Sequence, residues 1–345
     1  MKTAAIIKMG GSALMANLSG RRFPLNLMLS VTNRCVSHCS YCNIPQRGQK
    51  ELSLGQIRSL VDEAARMGCQ RIGLWGGEPL LREDIADIVG YIKSKGLFLT
   101  LDTNGHLLPQ KLKAIDGLDH VIVALDGPKD AHERNRGEDS FQRAMAAIDA
   151  ASGVLPLWTI TVLTRHNLDA VDFILENARR YGFLATFQLL HHNERLSRNH
   201  EALMPPDEEY RTAIRRIIAA KQKGEPVASS FPYLRHLLNW PDFRSPVSTK
   251  PCGSFRCWAG RLYCNIDTDG TVYPCSLLVD KIKADNFLVT GLRGAFGRLR
   301  TGSCESCIAS CFTEYNLLYS LNGAAIAGWV ASMRRTGKRP CATPR

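Results

Sequence analysis

The chain has 345 residues, a formal net charge of +12 and twelve cysteines. Its composition, 45% hydrophobic and 22% charged, excludes wholesale disorder and collagen-like or low-complexity structure. No run approaches the roughly 18–20 apolar residues of a membrane span, and the apolar run at 3–7 is too short for a signal-peptide core. The expectation is a cytoplasmic chain with reduced thiols, in which clustered cysteines hold metal or do redox chemistry.

In chain order, residues 1–24 form an amphipathic N-terminal segment carrying Ile6, Ile7, Met9, Leu14, Met15 and Leu18. Short β-rich runs then alternate with helical patterns: runs at 25–31, 71–75, 97–101, 120–125, 157–163 and 185–190, and helices at 53–67, 82–95, 140–151 and 167–181. Ser53, Asp139 and Asn167 stand as caps near helix starts. Six βα units imply a parallel α/β sheet with right-handed crossovers, and both an open doubly wound sheet and a barrel fit. The loops after the runs include Gly76-Gly77-Glu78-Pro79, Asp102-Thr103-Asn104-Gly105, Asp126-Gly127-Pro128 and His191-His192-Asn193-Glu194. In parallel folds the strand C-termini carry the functional face.

A helix is expected at 207–223, then a Pro/Ser-broken stretch at 229–251. Glycines, aromatics and cysteines dominate 251–311, where Asp269-Gly270 marks a hairpin. The boundary falls near residue 240: a core at 25–240, a small Cys-rich module at 241–320 and a basic amphipathic tail at 321–345.

The cysteines cluster. Cys35, Cys39 and Cys42 form C-x3-C-x2-C in the loop after the first run. Three thiolates leave one iron of a [4Fe–4S] cube open for a small ligand, whereas structural zinc takes four ligands; zinc with His38 as fourth ligand is the rival. This motif, with Tyr41 before Cys42 and the later Gly-Gly-Glu-Pro, resembles the radical S-adenosylmethionine (SAM) superfamily over residues 25–190. The resemblance implies a partial (β/α)6 TIM-like barrel in which SAM binds the open iron. It implies a loop at Gly76, Gly77 and Glu78 that contacts the methionine amino group, and Tyr41 against the adenine. Asn104, Asp126 and the strand end at Leu163 would approach the ribose and adenine; Asp126 stands near where relatives often place serine.

Further on, Cys257, the hairpin, Cys275 and Cys304-x2-Cys307-x3-Cys311 resemble the SPASM/twitch extension of these enzymes. That likeness implies one auxiliary [4Fe–4S] cluster on Cys257, Cys275, Cys304 and Cys307, with Cys264 and Cys311 as substitutes; structural zinc is again the rival.

The resemblance implies reductive cleavage of SAM to a 5′-deoxyadenosyl radical that takes hydrogen from a substrate carbon, with a reductant such as flavodoxin or ferredoxin. Arg165, His191, His192 and Glu194 are the candidates for holding substrate. The amphipathic ends, and an N-terminus with no room for a leader-binding domain, favour a lipid or membrane-associated small molecule, with peripheral contact at the inner membrane surface. A peptide-modifying maturase is the alternative and a non-catalytic iron–sulfur electron carrier the second. Basic residues are spread along the chain, so nucleic acid is not the expected partner.

Overall fold

The computed structural model describes residues 3–48, 50–251 and 255–335. Its strands are β1 (Asn26–Thr32), β2 (Arg71–Gly76), β3 (Phe98–Thr103), β4 (His120–Ala124), β5 (Leu157–Leu163), β6 (Leu184–Leu189), β7 (Val247–Ser248), β8 (Tyr263–Ile266), β9 (Val272–Tyr273) and β10 (Ser306–Cys307). The helices are α1 (Thr3–Ser19), α2 (Leu54–Met67), α3 (Ile85–Ser94), α4 (Leu108–Lys111), α5 (Lys129–Arg136), α6 (Ser140–Ala151) and α7 (Val171–Tyr181). They continue with α8 (His200–Leu203), α9 (Asp207–Gln222), α10 (Phe231–Leu238), α11 (Phe287–Arg298), α12 (Ser310–Tyr319) and α13 (Gly323–Arg335).

Strands β1 to β6 pair in parallel, each with the next, in a partial barrel of the TIM type. The period of two along each strand sorts side chains to opposite faces. In β3, Leu99 and Leu101 join the core built with α2 and α3, where Ile57, Leu60, Ile88 and Ile92 are buried. Phe98, Thr100 and Asp102 line the interior instead. The helix α2 starts as the sequence indicates: Ser53 accepts from the Gln56 amide, and the Gln56 side chain accepts from the Ser53 amide.

The C-terminal segment divides its strands: β7 and β10 form a separate two-stranded antiparallel sheet, with Cys307 opposite Val247, whereas β8 and β9 join the barrel sheet. β8 pairs in parallel with β1, Asn26 opposite Tyr263, and β9 returns antiparallel as the hairpin at Asp269-Gly270. The helix α12 packs against β6, α1, α10 and α13 and closes the interior.

Three local expectations change. Asn167 is not a cap: α7 begins at Val171, and the Asn167 amide donates to the carbonyls of Asp126 and Val162, tying two strand ends together. Asp139 precedes α6 but makes no side-chain cap bond, being in the left-handed region at φ 58°. The 229–251 stretch contains α10, started by Ser230 accepting from the Tyr233 amide, with Pro232 in its first turn where proline needs no N–H partner.

Both amphipathic ends are walls of the interior. Met9, Gly10 and Ala13 of α1, and Ala325, Ile326 and Trp329 of α13, line it. Leu14, Met15 and Leu18 of α1 are exposed. Cys252, Lys338, Arg339 and Cys341 lie outside the described residues. No described helix is long and apolar enough to cross a membrane.

Candidate active site at the strand C-termini

The Cys35–Cys42 loop leaves the end of β1 and is clamped by the glycine loop after β2. Gly77 N donates to Thr32 O at 2.7 Å and Glu78 N to Arg34 O at 2.8 Å. A side chain on Gly77 would overlap the carbonyl of Arg34 and come within 2.6 Å of that of Asn33; Gly76 sits at φ +143°. Two glycines are therefore the physical condition for bringing the cysteine loop down onto the sheet.

The Glu78 carboxylate is buried and pushed up to about 7 by that burial, against hydrogen bonds that favour its ionised form. One oxygen accepts from Thr103 Oγ1 (2.8 Å) and the Leu80 amide (3.1 Å), the other from the Asn104 amide (2.8 Å). Both oxygens are thus spent on fixing the β2 and β3 loops against each other. Asn104 in turn aims its side-chain amide at Cys35 Sγ, 3.6 Å away.

A buried ion pair backs the loop on its other side. Arg136 meets Asp126 through Nε at 2.8 Å and Nη2 at 3.1 Å, and its guanidinium lies 5.6 Å from the centre of the Tyr41 ring. Tyr41 donates to Asp126 at 3.1 Å and the Val162 amide does so at 2.9 Å. Asp126 is fully buried, so its oxygens brace Tyr41, Arg136 and β5. The sequence carried no signal for Arg136, which lies on α5, a helix absent from the sequence reading.

Burial raises the Cys39 thiol to about 12, Arg136 lowers it, and Cys42 and Cys35 raise it further, so the three thiols share one neighbourhood. Burial also raises Cys275 well above its ordinary value, and Cys257, Cys307 and Cys304 push the same way. These four thiols form a second neighbourhood. Cys264 has Cys69 as its neighbour, and Cys311 has Asp102 and Arg71 beside it while packing against the apolar cluster that holds Cys275 and Cys307. Among the described residues no three His, Cys, Asp or Glu side chains are set for a single metal ion. Thiolates on a four-iron cube stand further apart than on one zinc, because iron and sulfide lie between them.

Behind the loops lies a chamber of about 360 Å3, walled by the inner faces of the strands and by α12, α1 and α13. It runs from Trp75 and Asp102, next to the glycine and Asn104 loops, to Ser276 beside Cys275. Arg71 crosses it, bonded to Asn26 Oδ1 and Thr100 Oγ1 and 5.3 Å from the Tyr315 ring centre.

The four residues expected to hold substrate do not line this chamber. Arg165 is exposed and donates to Met204 O; Glu194 is exposed. His191 contacts Leu189 O at 3.3 Å, and His192 stacks on His200 with ring centres 3.8 Å apart. Leu163 is fully buried in the core and its carbonyl accepts from Tyr210.

Residues 29–194 match the profile described as the radical SAM superfamily. The mycofactocin maturase MftC of Mycolicibacterium smegmatis is 31% identical over 305 residues, covering 82% of this chain and 75% of that protein. The PqqA peptide cyclase of Xanthomonas campestris pv. campestris is 32% identical over 282 residues, covering 76% and 70%. In fold, the chain resembles Streptococcus suis SuiB bound to precursor peptide SuiA, with TM-score 0.65 at 13% identity, covering 84% of this chain and 72% of that one. It also resembles anSMEcpe with bound AdoMet and Cp18Cys peptide, with TM-score 0.58 at 18% identity and 81% of each chain covered. These enzymes use SAM and a [4Fe–4S] cluster, and the SPASM-type relatives carry auxiliary clusters. The three grouped thiols, the side-chain-free glycine loop and the four further thiols suit that equipment, and the chain belongs to the radical SAM superfamily, in its SPASM/twitch-type branch.

Proposed function

We propose that this radical SAM enzyme modifies a peptide, forming a carbon radical on a residue held in the chamber under α12. The observation that carries the reading is the likeness, at 31–32% identity across most of both chains, to a maturase and a peptide cyclase. The expected lipid-like substrate and membrane contact have no such support, and the amphipathic ends that suggested them are chamber walls.

In this reading Cys35, Cys39 and Cys42 hold the SAM-binding cluster, and Gly76, Gly77, Asn104 and Tyr41 hold SAM, with Asp126 and the Leu163 strand end behind them. Cys257, Cys275, Cys304 and Cys307 hold one auxiliary cluster. Together the bound cluster and SAM supply a 5′-deoxyadenosyl radical when an electron arrives from a flavodoxin- or ferredoxin-class donor. The chain's own residues orient and seal. Glu78 keeps the glycine loop in shape, and Asp126 with Arg136 holds the Tyr41 ring. Helix α12 and the aromatic wall of Phe98, Trp158 and Tyr315 keep water from the chamber. A reducing, cytoplasmic setting suits seven thiols that must stay reduced.

The test offers anaerobically reconstituted holoenzyme deuterated peptide extracts and deuterated lipid extracts separately, and follows deuterium into 5′-deoxyadenosine by mass spectrometry. Label from the peptide arm is expected. Label from lipids alone would sink the reading.

A further inference from the structure

The loop after β6 lies between the two thiol sites in the chain and touches both. It turns tightly at 193–197: the Arg195 and Leu196 amides donate to Asn193 Oδ1 at 2.9 and 3.2 Å, and the Ser197 amide to Asn193 O at 2.8 Å. This turn and the residues just after it grip the first thiol loop. Asn43 N donates to Leu196 O (2.9 Å), Arg198 N to Tyr41 O (3.1 Å), Arg198 Nη2 to Cys39 O (2.9 Å) and Asn199 Nδ2 to Ser40 O (3.1 Å). Cys42 itself forms an antiparallel bridge with Ser197.

The same turn grips the second thiol site through one side chain. Asn193 is 2% exposed, and its Nδ2 lies 3.3, 3.1 and 3.1 Å from the carbonyl oxygens of Ser276, Leu277 and Val279. These carbonyls belong to the short 3-10 turn Ser276–Leu278 that follows Cys275 and to the residue that ends it. Helical turns leave their last carbonyls to find partners outside. A carboxamide serves both sides at once, its oxygen accepting from two amides while its nitrogen donates to the carbonyls. A second clasp lies on the same seam. Arg47, five residues after Cys42, donates to Asp267 Oδ1 at 2.9 Å with both side chains buried, and Asp280 lies 3.5 Å from Arg47 and 4.0 Å from Arg195. Ser276 also lines the chamber, so the clamp sets part of its wall.

We propose, resting on the reading above that these cysteines hold two clusters, that Asn193 is a positioning residue: it fixes the two thiol sites against each other and couples SAM binding at the first to order at the second. SAM held by Gly76, Gly77, Asn104 and Tyr41 stiffens the Cys39–Asn43 loop. The turn at 193–197 is bonded to that loop, and Asn193 passes the restraint on to 276–279. Linkage makes the effect reciprocal. With 276–279 released from Asn193, the turn and the first loop lose order, and SAM must then supply the ordering cost when it binds.

The experiment uses reconstituted holoenzyme with its clusters oxidised, so that SAM binds without being cleaved. Hydrogen exchange over 275–281 is followed by mass spectrometry with and without SAM. SAM is expected to slow exchange there in the wild type and to leave it unchanged in N193D, whose carboxylate still accepts from Arg195 and Leu196 but cannot donate to the three carbonyls. The Kd for SAM, from calorimetric titration, should rise at least about fivefold in N193D, with iron held at the wild-type value of about eight per chain. D280N keeps a residue type suited to the left-handed φ of 57° and loosens the second clasp. It should give the same changes at smaller size, about twofold in Kd. No protection by SAM in the wild type, equal protection in N193D, an unchanged Kd in N193D, or about four irons missing from N193D would each overturn the proposal. If N193D does not fold, D280N with unchanged protection and Kd would overturn it alone. About four irons in the wild type would overturn the auxiliary-cluster reading itself, and this proposal with it.

Discussion

The Cys35–Cys42 loop and the Cys257–Cys307 group both gather thiols, but they are surrounded by different side chains. The first lies on loops at strand ends, its cysteines only partly buried, among Asn104, Glu78 and the Asp126–Arg136–Tyr41 trio. The second lies in an apolar cluster with Trp258, Leu262 and Tyr263; Tyr263 stacks on Phe312 at 5.6 Å, and Cys275 and Cys307 are buried. The contrast follows the rule that separates structural from catalytic metal centres: a closed site uses all its ligands, and a working site leaves a position open beside polar groups. The loop that must admit a charged ligand spends its surroundings on recognition. The group that must only hold spends them on packing.

The sharpest break of that comparison is C39A against C275A. C39A should lose about four irons and lower 5′-deoxyadenosine formation on the order of a thousandfold, measured by chromatography after anaerobic reduction. G77A keeps every thiol but displaces the cysteine loop, since its methyl would overlap Arg34 O. Misplacement near 1 Å predicts about a hundredfold loss in kcat/KM for SAM, with iron content retained. C275A should also lose about four irons, yet its main effect is on stability, about 2–4 kcal/mol in urea unfolding, because the apolar cluster around the thiol loses its centre. If C39A and C275A gave the same activity profile, the two groups would not divide the work as described.

The smallest effect is one of pH. Burial raises the Glu314 carboxyl to about 7, and its acceptor bond from the Ser230 amide opposes this. A carboxyl with its folded value above its unfolded one binds its proton more tightly in the folded chain. It therefore lowers stability as pH rises from about 4.5 to about 7, and no further above that. E314Q should flatten this fall by on the order of 1–2 kcal/mol, read from denaturant unfolding at pH 5 and pH 8. A steeper fall in E314Q would refute the assignment.

Much of the barrel was legible because its signals are local. The apolar runs for β1 to β6 fell within about two residues of the strands, since parallel strands backed by helices read as near-continuous hydrophobic stretches. The Ser53 box and the Asp269-Gly270 hairpin are equally local. Helix α5 was not legible: Lys129–Arg136 is polar almost throughout, and it is helical because Ala131, His132, Asn135 and Arg136 are buried against the site. Asn167 looked like a cap because its residue type is right; its amide instead joined two strand ends whose meeting no local pattern encodes.

What the sequence by itself determined is the chemistry of the two thiol sets and the glycine loop, because ligand count and side-chain size are properties of residues at short spacing. What only the tertiary structure decided is company. Asp102, Arg71 and Cys311 are far apart in the chain and share one chamber, while Arg165 and Glu194, at strand ends where the chemistry was expected, face solvent. Curvature of the sheet and the placing of α12 beneath it set that outcome, and both arise from summed burial over dozens of contacts rather than from any motif.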